Sequence, residues 1–156
     1  MWIGVHHGME ELRSMRIHLG NDHAAGPVRS AIISWLQDAG HELVDHGTDR
    51  DGSVDYPDHV HPLAEGVVDE DTMGILICGS ANGVAMTANK HQGIRAAIAW
   101  RPDIAALARQ HNNANVLCIP ARFIAVSDAL DCVSTFIETA FEGGRHERRV
   151  AKITCS

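Results

Sequence analysis

None of the four cysteines, Cys78, Cys118, Cys132 and Cys155, stands in a C-x-x-C pair. That removes the common zinc and dithiol redox readings. Cys118 and Cys132 lie in apolar runs and read as reduced core residues. A cytoplasmic protein fits this better than a disulfide scaffold. Aromatic residues make up only 4% of the chain, which leaves few to stack on a flavin and disfavours a flavodoxin-type module. No apolar run reaches the roughly 18 residues of a membrane span. The opening MWIGVHHGMEELRS lacks the apolar centre of a signal peptide. Residues 1–14 therefore read as an extension, and one folded domain is expected over 15–156. Positive charge is also short: 13 Lys and Arg against 20 Asp and Glu give a net charge of −7. This argues against nucleic acid as a partner, because phosphate backbones attract basic surfaces. It does not exclude a small anion, which a few local arginines can hold.

What is present is an alternation of short β-like runs and amphipathic stretches. Hydrophobic residues make up 45% of 156, enough for a core. Strands are expected at 15–19, 42–45, 74–78, 94–99 and 116–119. GILIC at 74–78 is a continuous apolar run, as a strand buried on both faces requires. Helices are expected at about 26–39, 58–68, 84–90, 102–110, 126–141 and 145–153. Pro27 suits the first turn of the first helix, and Gly40 ends it. Strands alternating with helices imply a three-layer αβα sandwich, a doubly wound, Rossmann-like five-stranded parallel sheet. Ligands in such folds sit beyond the carboxyl ends of the strands.

Several polar groups follow strands, and the expectation is that they converge at one edge. Gly79–Gly83, with Ala81 and Asn82 inside it, is a small-residue turn whose amides and following helix make a nest for an anion or oxyanion. It reads equally as a tight strand-to-helix turn. It is not the dinucleotide G-x-G-x-x-G, which disfavours a dehydrogenase. Cys78 precedes this turn, where backbone dipoles and a helix N-terminus are expected to lower its pKa. It is a candidate nucleophile or base, or a small buried hydrophobe. Ser80 is positioned to bond a thiolate or a substrate oxygen, or to cap the helix. Asp22-His23 suits acid–base work, with helix capping by Asp22 as the bland alternative. His111 in HNNAN is a second proton handler or a turn residue.

Arg145 and Arg149 stand one helical turn apart in GGRHERRV, so a helix puts both on one face, a match for phosphate. A solvated basic helix end is the alternative. His6-His7 and His59-x-His61 are histidine pairs; His59 and His61 would lie on different sides of a helix, so no metal is expected.

Taken in order, LGNDHAA (19–25), DYP (55–57), GILICGSANGVAMTANKHQGIRAA (74–97), ARQHNNANVL (108–117) and GGRHERRV (143–150) resemble type B ribose-5-phosphate isomerases and the related galactose-6-phosphate isomerase subunits. The resemblance covers about Met15 to Ile153. It implies a cofactor-free aldose–ketose isomerase acting on a sugar phosphate through an enediolate, with no metal. It implies Cys78 as the base, Ser80 as its helper, and the amides of Gly79–Gly83 as the enediolate pocket. Another branch of the family has a glutamate where this chain has Val84. The resemblance further implies Asp22 and His111 for ring-opening and hydroxyl protons, Tyr56 and Asn112 for substrate contact, and His23, Arg122, Arg145 and Arg149 for phosphate. It implies a homodimer or homotetramer whose sites borrow residues across an interface. Ala81 and Ala25 stand where glycine is common, and Pro120-Ala121-Arg122 replaces a more usual glycine-containing turn. These departures leave the sugar open among ribose 5-phosphate, erythrose 4-phosphate, allose 6-phosphate and galactose 6-phosphate. A silent sugar-phosphate-binding module would keep Arg145 and Arg149 without needing Cys78.

Overall fold

The structure is a computed structural model that describes residues 13–50 and 52–155. The expected extension over 1–14 thus falls largely outside the described residues, as do His6 and His7.

Five strands appear near the expected places: β1 (Arg16–Asn21), β2 (Glu42–Asp45), β3 (Thr72–Cys78), β4 (Ala96–Ile98) and β5 (Val116–Pro120). They form one sheet in the order β2-β1-β3-β5-β4, with every pairing parallel. Six helices accompany them: α1 (Gly26–Asp38), α2 (Pro57–Gly66), α3 (Asn82–Ala88), α4 (Pro102–Asn112), α5 (Val126–Glu138) and α6 (Arg145–Ala151). Among the described residues no helix is long and apolar enough to cross a membrane.

The central strands alternate between two cores. Ile75 and Ile77 of β3 and Leu117 and Ile119 of β5 pack with Val28, Ile32 and Leu36 of α1, with α4, and with Phe136 of α5. Leu76, Cys78, Val116 and Cys118 point the other way, onto Val60 and Leu63 of α2 and Val84 and Ala88 of α3. The period of two along each strand makes this division. Burial on both faces is why β3 reads as an unbroken apolar run.

Crossover handedness accounts for which helix lies where. The steps β1 to β2 and β4 to β5 move one way along the sheet and use α1 and α4, on one face. The steps β2 to β3 and β3 to β4 move the other way and use α2 and α3, on the opposite face. A single hand of crossover requires this split. Because β1 leads outward to β2 while β3 leads outward in the other direction, the chain reverses between β1 and β3. Their carboxyl ends open a crevice there, where α/β sheets bind ligands.

Candidate active site

The crevice is floored by two buried groups. Asp22 directly follows β1 and Cys78 ends β3, and both side chains are buried. The Cys78 thiol donates to Asp22 Oδ2 at 3.0 Å. Asp22 Oδ1 accepts the Ala24 N–H at 2.8 Å. Asp22 is therefore not the cap of α1, which starts after Ala25; it closes a small turn and holds its second oxygen on the sulfur.

The expected lowering of the thiol pKa is corrected by this geometry. The amides of Gly79 and Ala81 do reach the sulfur and favour the thiolate. Burial first, and then the hydrogen bond and negative charge of Asp22, outweigh them and push Cys78 up to about 11. A donor to a carboxylate keeps its proton, because losing it places two anions in contact.

The turn after β3 is a nest. Ala81 lies at φ 66°, in the left-handed region, and is fully buried. This conformation costs a non-glycine residue about 1–2 kcal/mol. It turns the backbone so that N–H groups face the sulfur rather than the helix axis. Ser80 is exposed at the lip. Its Oγ accepts from the backbone N–H of Asn82, the first residue of α3, at 3.4 Å and from Asn82 Nδ2 at 3.2 Å, which is part of the capping role. Tyr56 lies over Gly83: a Cβ on that glycine would come within 2.4 Å of the ring. Arg122 lies across Gly79, whose Cβ would meet its Cδ at 3.3 Å. Ala121 N–H donates to Cys78 O at 2.8 Å, which ties the Arg122 turn to the end of β3. His23 is exposed, and its Nδ1 accepts from the Val54 N–H at 3.4 Å.

A second layer fixes the rim. Asn21 Nδ2 donates to Thr48 O at 2.6 Å, and its Oδ1 accepts from Arg29 at 2.9 Å. Arg29 also clamps Asp45 at 3.0 and 2.5 Å, holding that carboxyl below its ordinary range. The sequence reading missed this set. Asn21 abuts Asp22 and carried a signal; Arg29, inside a helix, carried none.

The other site candidates lie elsewhere on the same chain. α4 starts beyond β4 and runs back to the strand starts, where Asn113 O accepts from Arg95 Nε at 2.7 Å. His111 and Asn112 therefore sit at the amino edge of the sheet. Gly74 and Cys78 mark the ends of the β3–β5 pairing, about 13 Å apart at 3.3 Å per residue. His111 stacks on His146 of α6, with ring centroids 4.3 Å apart, so Arg145 and Arg149 belong to this edge too. The expected convergence on one edge is thus corrected: within one chain, Asp22, His23, Tyr56, Cys78–Gly83 and Arg122 gather at the carboxyl edge, while His111, Asn112, Arg145 and Arg149 gather at the other. The linear order of motifs gave no direction for α4.

A hollow of about 1290 Å³ also opens at the amino edge, between Arg95, Arg109, Asn115 and Thr139. Arg95 and Arg109 are spent on backbone carbonyls of Asn113, Thr139 and Ala114. Volume alone does not mark the chemistry here.

The fold and the crevice define a parallel α/β sandwich with a thiol, a carboxylate and an amide nest at its switch point. A sequence profile described as Ribose/Galactose Isomerase matches residues 17–153, and the chain belongs to that family. The probable ribose-5-phosphate isomerase B of Mycoplasma pneumoniae is 42% identical over 139 residues, 88% of this chain and 91% of the relative. The crystal structure of a ribose 5-phosphate isomerase from Thermotoga maritima is 44% identical and superposes with a TM-score of 0.86, covering 90% of this chain and 98% of that one. The enzyme from Mycoplasma genitalium, solved with bound ribulose-5-phosphate, is 41% identical with a TM-score of 0.86, covering 90% and 94%.

Proposed function

We propose that this protein is an aldose–ketose isomerase that interconverts ribose 5-phosphate and ribulose 5-phosphate through an enediolate. The observation that carries the reading is the Cys78–Asp22 pair at the switch point, 3.0 Å apart and beside the amides of Gly79 and Ala81. The family membership and the ribulose-5-phosphate bound by the Mycoplasma genitalium relative support the substrate. Residues 15–156 form one isomerase domain, and the buried free thiols of Cys118 and Cys132 favour a reducing, cytoplasmic setting.

The chemistry needs a base for the C2 proton, a home for the enediolate charge, and a phosphate anchor. With a pKa of about 11, Cys78 holds its proton at rest. Forming its thiolate at pH 7 costs about 5 kcal/mol, at 1.36 kcal/mol per pKa unit. Two events on substrate entry lower that cost. Asp22 turns from the sulfur to a sugar hydroxyl, which removes the neighbouring anion, and cationic groups enter the crevice. The thiolate then takes the C2 proton, the amides of Gly79–Gly83 hold the oxyanion, and the sulfur returns the proton to C1. The hydroxyl proton moves from O2 to O1, aided by Ser80. Tyr56 and Asn82 flank the sugar, and His23 and Arg122 reach toward its phosphate.

The remaining groups come from a second copy of the chain. Within one chain His111, Asn112, Arg145 and Arg149 are a sheet length from Cys78. Trp100 and Phe123, which follow β4 and β5 at the crevice edge, are 51% and 75% exposed. Exposed apolar residues beside an incomplete site favour a partner there. In a homodimer, or a homotetramer of such dimers, the partner's His111 opens the sugar ring together with Asp22. The partner's Arg145 and Arg149 hold the phosphate, and that binding orients the reacting carbons.

The test is a rate panel on ribose 5-phosphate, erythrose 4-phosphate, allose 6-phosphate and galactose 6-phosphate, with a chelator present. Ribose 5-phosphate should be preferred, and Cys78→Ala should lose at least a thousandfold in kcat. Turnover retained by Cys78→Ala, or preference for another aldose phosphate, overturns the reading.

A further inference from the structure

The junction of α4 and α6 brings together two imidazoles and a carboxylate. His111 ends α4, Glu142 precedes α6, and His146 lies in the first turn of α6. The Nε2 atoms of His111 and His146 each lie 3.9 Å from the same oxygen, Oε2 of Glu142. One donor atom from each residue falls within 4.8 Å of the others. Neither 3.9 Å contact is a hydrogen bond, since N–H···O bonds end near 3.2 Å. Three donor atoms are therefore neighbours without bonding one another; the two rings stack at 14°, so the half-exposed His111 turns out of the stack for both imidazoles to meet one ion.

The backbone fixes this arrangement. Glu142 N–H donates to Gln110 O at 3.1 Å, pinning the loop to the last turn of α4. His146 N–H donates to Gly143 O at 3.1 Å. The His146 side chain is 8% exposed, whereas those of Glu142 and His111 are 51% and 40% exposed. One ligand is rigid and two can swing.

We propose that His111, Glu142 and His146 form a binding site for a divalent cation of the zinc class. Two imidazoles and a carboxylate are a zinc-type donor set. Tetrahedral zinc at bonds of 2.0–2.1 Å separates its ligand atoms by roughly 3.3 Å, so the two mobile side chains need to close by only about half an ångström to an ångström and a half. The solvent-exposed side leaves a fourth position for water. Arg145 and Arg149 flank His146 and oppose a cation, which limits the affinity and makes phosphate-bound and metal-bound states compete. The metal has no part in the isomerisation; it occupies His111. Inhibition by zinc therefore rests on the role given to His111 above, whereas the binding itself does not.

The test begins with chelator-stripped full-length protein carrying Cys155→Ser, which removes the exposed thiol as a competing ligand. Zinc is titrated calorimetrically and cobalt(II) is followed by its d–d absorption. One ion per chain is expected, with Glu142→Gln and His146→Gln each weakening binding at least tenfold. No binding, or binding unchanged in both variants, overturns the site. Isomerase rates are read in the same zinc series. Loss of activity that tracks filling of the site and is reversed by chelator supports both ideas. Binding without inhibition supports the site and counts against the role of His111.

Discussion

The Cys78 thiol and the Asp22 carboxylate are hydrogen-bonded at 3.0 Å although 56 residues separate them in the chain. The pairing of β1 with β3 brings them together, since Asn21 and Ile77 are register partners and Asp22 and Cys78 follow them. In Asp22→Asn the adjacent anion disappears while the size of the side chain is kept. The thiol pKa then falls from about 11. Alkylation of Cys78 by iodoacetamide, followed across pH by mass spectrometry of its peptide, should reach its midpoint at lower pH in the variant. Isomerase activity should nonetheless drop by at least a hundredfold, because ring opening loses its carboxylate. An unchanged midpoint would mean that burial alone sets the thiol.

The same pair separates what the sequence could yield from what it could not. GILIC read as a buried strand because both faces of β3 are covered, and the αβα class followed from the alternation. Cys78, Ser80 and Asp22 were legible because ligand sites in this class follow strands. The sign of the thiol shift was not legible: local sequence presents the Gly79 and Ala81 amides, while the dominant carboxylate arrives through a long-range pairing. The place of β5 between β3 and β4 was equally hidden, because sequence order says nothing about which strand inserts. His146 read as one residue of a basic helix; only the return of α4 to the amino edge sets it on His111.

Gly83 leaves room for Tyr56. In Gly83→Ala the new methyl would fall within 2.4 Å of the ring, so the ring must swing off the first turn of α3. The side chain is 37% exposed and can move, which keeps the stability cost small. KM for ribose 5-phosphate should rise about tenfold with kcat less affected, a uniform-binding loss. Tyr56→Ala should do the same, and the double variant should add little, as expected of two changes acting through one ring. Fully additive effects in steady-state kinetics would separate the two residues.

Acid sensitivity follows from three buried or half-buried imidazoles. Burial is the first cause that lowers the pKa values of His18, His41 and His46; in His18 the charge of His46 comes second. His18 Nδ1 lies 2.9 Å from His46 Nε2, a bond that needs one neutral acceptor. Groups with depressed folded pKa values contribute their full stability above the unfolded value of 6.5. As pH falls below 6.5 the unfolded chain takes up protons first, and the contribution is lost. Melting temperature should therefore fall from pH 7 to pH 5, and His46→Gln should flatten that fall. An equal slope in wild type and variant, read by calorimetry, would remove the pair from the acid response.

The proposed sharing of the site between two chains of a homodimer gives the last prediction. Cys78→Ala disables the crevice, and Arg149→Ala disables the phosphate anchor that the chain presents at the opposite edge. Each homodimer should be nearly inactive alone. In a mixed dimer, one site combines both defects and the other receives an intact crevice from one chain and an intact Arg149 from the other. Unfolding and refolding an equimolar mixture produces half mixed dimers if assembly is random. One active site in every four follows, so about a quarter of wild-type activity should return. If each site were built within one chain, every site would carry a defect and no activity would return. The assay needs only the two purified variants and a refolded wild-type control, and its two outcomes differ by far more than refolding losses can blur.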